Sequence, residues 1–301
     1  MSAGPLSTVS VVLGDAVSIM TPLLFAALGG LFTELSGMLN IALEGLIMIG
    51  AFFGAAGAAA SGSLLVGLAA GVAAATALSA LYGLVTLRLR ANEFITGLAT
   101  NLFASGLAVV LSEQVYKTKG VVPFKLPALP RLCLPALRDI PFLGELLFRH
   151  DVLAYASWAA VLLAWLVIAR TPFGMRLRAS GTSPKSVAAL GLDPASYRLA
   201  AVLVSGAACG VAGSGLSLGL SAYVPNISSG RGWIALVAIY LGGRRPAGVL
   251  AACFVFAVAD SFSNYAQGFL KVPADFILAM PYVVTLAALI VGAAARRRPR
   301  A

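Results

Sequence analysis

The sequence predicts an all-α polytopic membrane protein with about eight to ten spanning helices. Three observations carry that expectation. Apolar residues make up 60% of the 301-residue chain and charged residues only 11%, where a soluble domain carries about 25%. The apolar residues fall in runs of near-membrane length. The basic residues gather in alternate loops between those runs. A single water-soluble core could not hide so much apolar side chain, because such cores stop growing near ~250–300 residues. The composition therefore excludes a soluble enzyme, a disordered chain and a nucleic-acid-binding domain.

The apolar runs fall at 11–30, 41–60, 64–87, 91–112, 151–170, 198–220, 232–243, 247–267 and 277–294. Gly50/Gly54, Gly67/Gly71 and Gly206/Gly210 form small-xxx-small pairs within them. Lipid gives helices no hydrophobic reason to associate, so small residues that let backbones approach are what a compact bundle needs. The first run is read as a true span. No Lys or Arg precedes Arg88, so it lacks the charged start of a cleaved signal peptide.

Charge gives orientation. The chain holds 21 Lys and Arg against 11 Asp and Glu, a formal charge of +10. Arg88, Arg90, Arg170, Arg176, Arg178, Lys185, Arg198, Arg244, Arg245 and the tail Arg296, Arg297, Arg298 and Arg300 fall in loops with one acid, Asp193. The remaining loops mix Lys and Arg with Asp and Glu. The first set reads as cytoplasmic, in contact with anionic headgroups rather than nucleic acid. It puts the C-terminus inside. Counting spans puts the N-terminus outside, unless a broken segment within 11–60 reverses it.

Two loops are long. Residues 113–150 are expected outside, as an ordered cap with short helical pieces such as Phe142–Leu147; its prolines, among them Pro123, Pro127 and Pro130, exclude a long helix. Residues 171–197 are expected inside. There Ser183-Pro184 marks a helix start, with a hydroxyl cap and proline at the first helical position. Gly191 can close that helix in the left-handed conformation. The enclosed Lys185, Ser186, Val187, Ala188, Ala189 and Leu190 read either as an interfacial helix on the headgroups or as a knob that docks into a cytoplasmic partner.

A charge at mid-membrane costs at least ~2.5–3.5 kcal/mol on insertion scales and survives where it lines a pathway or is paired. Asp15, Glu34, Glu44, Glu93, Arg231 and Asp260 are the candidates, all but Asp15 for a solute pathway, with Asn40, Asn92, Asn101, Asn226, Asn264 and Trp233 beside them. For the acids the alternative is a place at the interface, where charge is cheap. The segments 34–45 and 221–232 both place Asn-Ile (Asn40-Ile41, Asn226-Ile227) after a small-residue span and before a Gly-opened run. That is the pattern of an inverted repeat with unwound backbone near the pathway. No P-loop or His-Glu-x-x-His occurs, and one histidine with three scattered cysteines makes no metal site. If ATP drives transport, another subunit supplies the ATPase.

The stretch Thr33-Glu34-Leu35-Ser36-Gly37-Met38-Leu39-Asn40-Ile41-Ala42-Leu43-Glu44-Gly45 resembles the signature of bacterial ABC-importer permeases, specifically the simple-sugar and nucleoside branch related to ribose and branched-chain amino-acid permeases. Ala91-Asn92-Glu93-Phe94-Ile95-Thr96-Gly97, the outer-loop stretch 134–144, Thr171–Ala179 leading to Gly181-Thr182-Ser183-Pro184, and Asn226–Leu236 resemble further blocks of that branch, in order. Trp233 stands where phenylalanine is usual. The resemblance implies a multi-pass permease of the bacterial inner membrane that pairs with a second permease, often a different chain. A cytoplasmic ATPase, which binds ATP and Mg, would dock on a coupling helix at about Pro184–Leu190. An extracytoplasmic binding protein would deliver the solute. Nucleosides are the favoured solute, with simple sugars or branched-chain amino acids as alternatives. From residues alone, an intramembrane enzyme or an ion-coupled carrier also stays open.

Overall fold

The computed structural model describes residues 5–124, 129–133, 149–267 and 283. The apolar runs become helices: α1 (Pro5–Leu35), α2 (Leu43–Ser61), α3 (Leu64–Leu87), α4 (Glu93–Tyr116), α5 (Val152–Arg170), α8 (Pro194–Leu220), α9 (Arg231–Leu241) and α10 (Pro246–Ala266). Between α5 and α8 lie α6 (Pro172–Thr182) and α7 (Pro184–Ala189). Among the described residues seven helices are long and apolar enough to cross a membrane, and α9 is a shorter apolar helix. At a rise of ~1.5 Å per residue, α9 spans about half of a bilayer core. The chain is an all-α polytopic membrane protein. The run at 277–294 and the expected piece Phe142–Leu147 lie outside the described residues.

Local chemistry sets several boundaries. Asn92 caps α4, its Oδ1 accepting from Phe94 N and Ile95 N. Asp193 caps α8 by accepting from Ala195 N and Ser196 N, and Pro194 opens the helix; α8 therefore starts four residues before its apolar run. The long loop 113–150 is partly described. Its first residues complete α4, and two short antiparallel pairs follow. β1 (Val122–Pro123) pairs with β4 (Ala222–Tyr223), and β2 (Arg131–Cys133) with β3 (Arg149–Asp151).

The helices pack as two interlocked halves. α1 lies along α8 and antiparallel to it, since Arg198 near the start of α8 donates to Ser36 O just past the end of α1. α2 and α3 pack on α8, while α9 and α10 pack on α1. The correspondence α1/α8, α2/α9, α3/α10 is that of an inverted repeat.

Glycine makes the α2–α3–α8 seam. A methyl group on Gly71 would collide with Ser214 Oγ and Gly50 O, one on Gly213 with Ile47 O, and one on Gly206 with the Ser79 side chain. The backbones touch because nothing stands between them. This closeness lets the Ser79 hydroxyl donate to Val202 O at 2.6 Å and the Ser214 hydroxyl to Gly50 O at 3.1 Å. The three small-residue spacings thus all lie at helix contacts.

Gly213→Val is expected to cost at least ~1–3 kcal/mol, the scale of overpacking a tight contact. Gly106→Val, where an added methyl meets nothing within 4 Å, should leave thermal unfolding of the detergent-solubilised protein unchanged. Equal melting temperatures for the two variants would contradict the seam.

Candidate functional site: two broken helices and the segment 171–197

The first break runs from Ser36 to Ala42, between α1 and α2. Its first amides return to the end of α1, Gly37 N donating to Glu34 O and Met38 N to Thr33 O, and several later groups are held by side chains from other helices. Leu39 N donates to Glu93 Oε2 at 2.8 Å, and Leu39 O accepts from Tyr82 OH at 3.0 Å. Ile41 O accepts from Asn101 Nδ2 at 2.9 Å, while Asn101 Oδ1 accepts from Gly45 N at 2.8 Å. Asn40 is buried; its Nδ2 donates to Ser205 Oγ at 2.9 Å and its Oδ1 accepts from Ala42 N. Gly37 turns the chain at φ 81°. In an apolar surround each unpaired amide or carbonyl costs several kcal/mol, so the polar residues of α3, α4 and α8 act here as substitutes for water.

The second break, residues 221–230, separates α8 from α9. Asn226, Ser229 and Gly230 take positive φ. The left-handed region costs a residue with a Cβ roughly 1–2 kcal/mol, so tertiary contacts must hold this turn. Glu44 supplies the main one. Its carboxylate accepts from Gly230 N at 2.8 Å and Gly232 N at 2.7 Å. A charge inside the bundle is thereby placed on the positive N-terminus of α9, whose first amides lack helix partners. Gly232 is needed because a methyl there would meet the Glu44 backbone. The two breaks, one from each repeat, are joined through this one side chain. Tyr223 OH and Ser228 Oγ in the same segment are buried without a hydrogen-bond partner among the described residues.

The other candidates sort by place. Glu34, with 13% of its side chain exposed, pairs with Arg244 at 2.8 Å and accepts from Tyr240 OH at 2.9 Å. Glu34, Glu93, Arg178 and Arg244 line one cavity of about 440 Å³ at the end of the bundle where α6 lies. The basic set of loops therefore holds two more acids than sequence position indicates, because Glu34 ends α1 and Glu93 begins α4. Arg231 donates to Ile227 O and Ser228 O and lines a cavity of about 250 Å³ toward the opposite end, beside Ser18, Pro22, Asp151 and Gly219. Pro22 leaves Ser18 O without its usual helix donor at that wall. Asn92, Asn226, Trp233 and Asn264 are exposed, and Asp260 is half-buried on α10. Tyr82, Ser205 and Tyr240 escaped sequence reasoning: single hydroxyls in long apolar runs carry no pattern.

The segment 171–197 forms α6, α7 and the start of α8. Ser183 does cap α7, but its hydroxyl bonds Ser186 Oγ at 2.7 Å rather than a backbone amide. Gly191, at φ 74°, closes the helix: Gly191 N donates to Ala188 O and Leu192 N to Val187 O, the Schellman pattern. Val187 is buried, while Lys185, Ser186, Ala188, Ala189 and Leu190 face out, Leu190 at 77% exposure. A hydrogen bond from the Ser196 hydroxyl, with the Ala195 amide, holds the Asp193 carboxyl below its ordinary range. The cap therefore persists to lower pH than a free aspartate would allow.

Residues 13–291 match the family described as the branched-chain amino acid transport system permease component. The chain belongs to this family of transport permeases. The permease is 31% identical to a nucleoside ABC transporter permease of Lactococcus lactis, covering 94% of this chain and 92% of that one. It is 32% identical to a guanosine ABC transporter permease of Bacillus subtilis, covering 93% and 91%. It is 30% identical to a putative glucose ABC transporter permease of Haloferax volcanii, covering 85% and 77%. No solved structure matches it significantly. Among the described residues no cluster of His, Cys, Asp and Glu could hold a metal ion.

Glu44→Ala strips two amides of their acceptor and is expected to cost about 1–3 kcal/mol for each, with transport lost in parallel. Glu44→Gln keeps one acceptor and should fall between Ala and the parent. Uptake kinetics and melting temperature that stay unchanged in Glu44→Ala would contradict the clamp.

Proposed function

We propose that this permease is half of the membrane pore of an ATP-driven importer for nucleosides. The observation that carries the reading is the near full-length similarity to permeases named for nucleoside and guanosine transport. A second permease chain completes the pore, an extracytoplasmic binding protein hands over the solute, and a cytoplasmic ATPase binds ATP and Mg. The protein lies in the bacterial cytoplasmic membrane with its C-terminus inside. Its basic loops support that orientation, since Arg178, Arg198 and Arg244 share one end of the bundle with α6.

The ATPase docks on α7. In support, the helix stands on one buried residue, Val187, and turns the rest of its surface outward, with Leu190 as an exposed apolar anchor.

The solute passes along the second break. Unwound backbone at membrane depth is tolerated only inside protein or against a water-filled cavity. Asn226 and Ser229 are exposed on the surface of the single chain, with Trp233 one turn on. Lipid cannot cover them, so the pore and the second permease do. There Asn226 offers hydrogen bonds to ribose hydroxyls and Trp233 a face for a base; Asn264, exposed on α10, is a further candidate donor. Asn40, Glu44, Glu93 and Asn101 hold the breaks beside the pathway, and Glu34 ties the end of α1 to Tyr240 and Arg244. The relative named for glucose supports a second reading, a simple-sugar pore.

The full complex in proteoliposomes, with binding protein and ATP, is expected to accumulate labelled uridine and guanosine and to ignore leucine and glucose. Uptake of leucine or glucose alone would overturn the nucleoside assignment. Ala188→Pro, which breaks α7 at a cost of ~3 kcal/mol, should abolish uptake while the chain still inserts. Normal uptake by that variant would remove α7 from the docking role.

A further inference from the structure

Docking on α7 explains where force enters the permease but not how it reaches the pathway. The contacts around Arg198 answer that. Arg198 lies near the start of α8. Its Nε donates to Ser36 O at 3.2 Å and its Nη2 to Ser180 O at 3.1 Å. These carbonyls belong to different helix ends: Ser36 follows α1, and Ser180 lies in the last turn of α6, just before α7. Carbonyls at helix C-termini lack intrahelical donors and carry partial negative charge. A planar guanidinium can serve two of them at once, which an ammonium on a flexible stem does poorly.

Beneath this fork the two backbones touch. A methyl group on Gly181 would collide with Leu35 O and lie 2.8 Å from Gly37 N, and one on Gly37 would lie 2.8 Å from Gly181 Cα. On the same face of α8, two turns along, Ser205 holds Asn40. From Asn40 the connection continues through Ala42 N to α2, and through Glu44 to the amides of Gly230 and Gly232. The opposite side of the first break is not packed solid. It borders the cavity of about 440 Å³ lined by Glu34, Gly37, Met38, Glu93, Arg178 and Thr182, so the segment has room to move.

We infer that Arg198 is the positioning residue that transmits movement of the α6–α7 segment to the first break, and through Glu44 to the second. It touches neither solute nor nucleotide. It fixes the end of α6 to the start of the break, so that a displacement of α7 carries Ser36 and Gly37 with it. The inference rests on the reading of α7 as the ATPase dock.

The test uses the assembled importer in proteoliposomes with Arg198→Lys and Arg198→Met, measuring ATPase co-purification, hydrolysis and nucleoside uptake. Both variants are expected to retain the ATPase and its hydrolysis. Uptake per ATP should fall about ten-fold in Met, within the usual range of coupling between sites. Lys, which keeps the charge but not the fork, should rescue little of it. Unchanged uptake per ATP in both variants overturns the inference, as does full rescue by Lys. Equal loss of hydrolysis and uptake does so too, because a merely structural residue would lower both. An ATPase that binds without α7 would instead defeat the docking reading. A second measurement needs no variant: in the parent complex, binding of a non-hydrolysable ATP analogue should change hydrogen-exchange protection of amides 36–42, and unchanged protection there also overturns the inference.

Discussion

Backbone hydrogen bonding inside an apolar bundle is the constraint on which this permease depends. A helix satisfies its own amides and carbonyls, but two of the helical paths here are broken, at 36–42 and 221–230. The freed groups that face the protein interior must find a side chain or a neighbouring backbone group. Several of the chain's larger polar side chains are committed to that task. Glu93, Tyr82, Asn101 and Asn40 serve the first break, and Glu44 serves the second. Glu44 reaches from the helix that follows one break to the helix that follows the other, so neither repeat completes its own site.

The scaffold that holds these breaks uses little charge and much close contact. Glycine and alanine let α2, α3 and α8 approach until serine hydroxyls reach carbonyls on neighbouring helices. Such packing tolerates no added methyl on the seam, yet leaves the end near α6 open around the Glu34–Arg244 pair. Rigid and yielding regions lie side by side. The half-length helix α9 bridges them, anchored at its N-terminus by one carboxylate and at its C-terminal side by a partly exposed ion pair.

Much of the fold was legible because its signal is coarse. Eight of the apolar runs became helices, seven of them within four residues of their expected limits and the first extended to Pro5–Leu35, since bilayer thickness alone imposes a run of about 20 residues. The break positions were legible for a different reason: Asn40 and Asn226 are polar interruptions followed by a glycine-opened run. What those residues do was less legible. Sequence position made Asn92 a neighbour of the pathway but did not disclose that its side chain caps α4. It also left Glu34 and Glu93 unplaced, because a carboxylate at a helix end reads the same whether it meets solute, headgroup or arginine. Tyr82, Ser205 and the role of Arg198 depend on which helices become neighbours, and no local pattern encodes that. The family resemblance contributed the oligomeric context and the energy source, which lie outside what a single chain's physics can state.

The central claim is that unwound backbone of the second break faces water at membrane depth. Asn226→Cys, in a variant with Cys133, Cys209 and Cys253 replaced by alanine, tests it in the assembled transporter embedded in native membranes. The account predicts that a membrane-impermeant maleimide labels position 226 and that saturating nucleoside and binding protein shield it. Position 226 closed to the maleimide but open to a lipid-soluble thiol reagent would place this face against lipid and contradict the account.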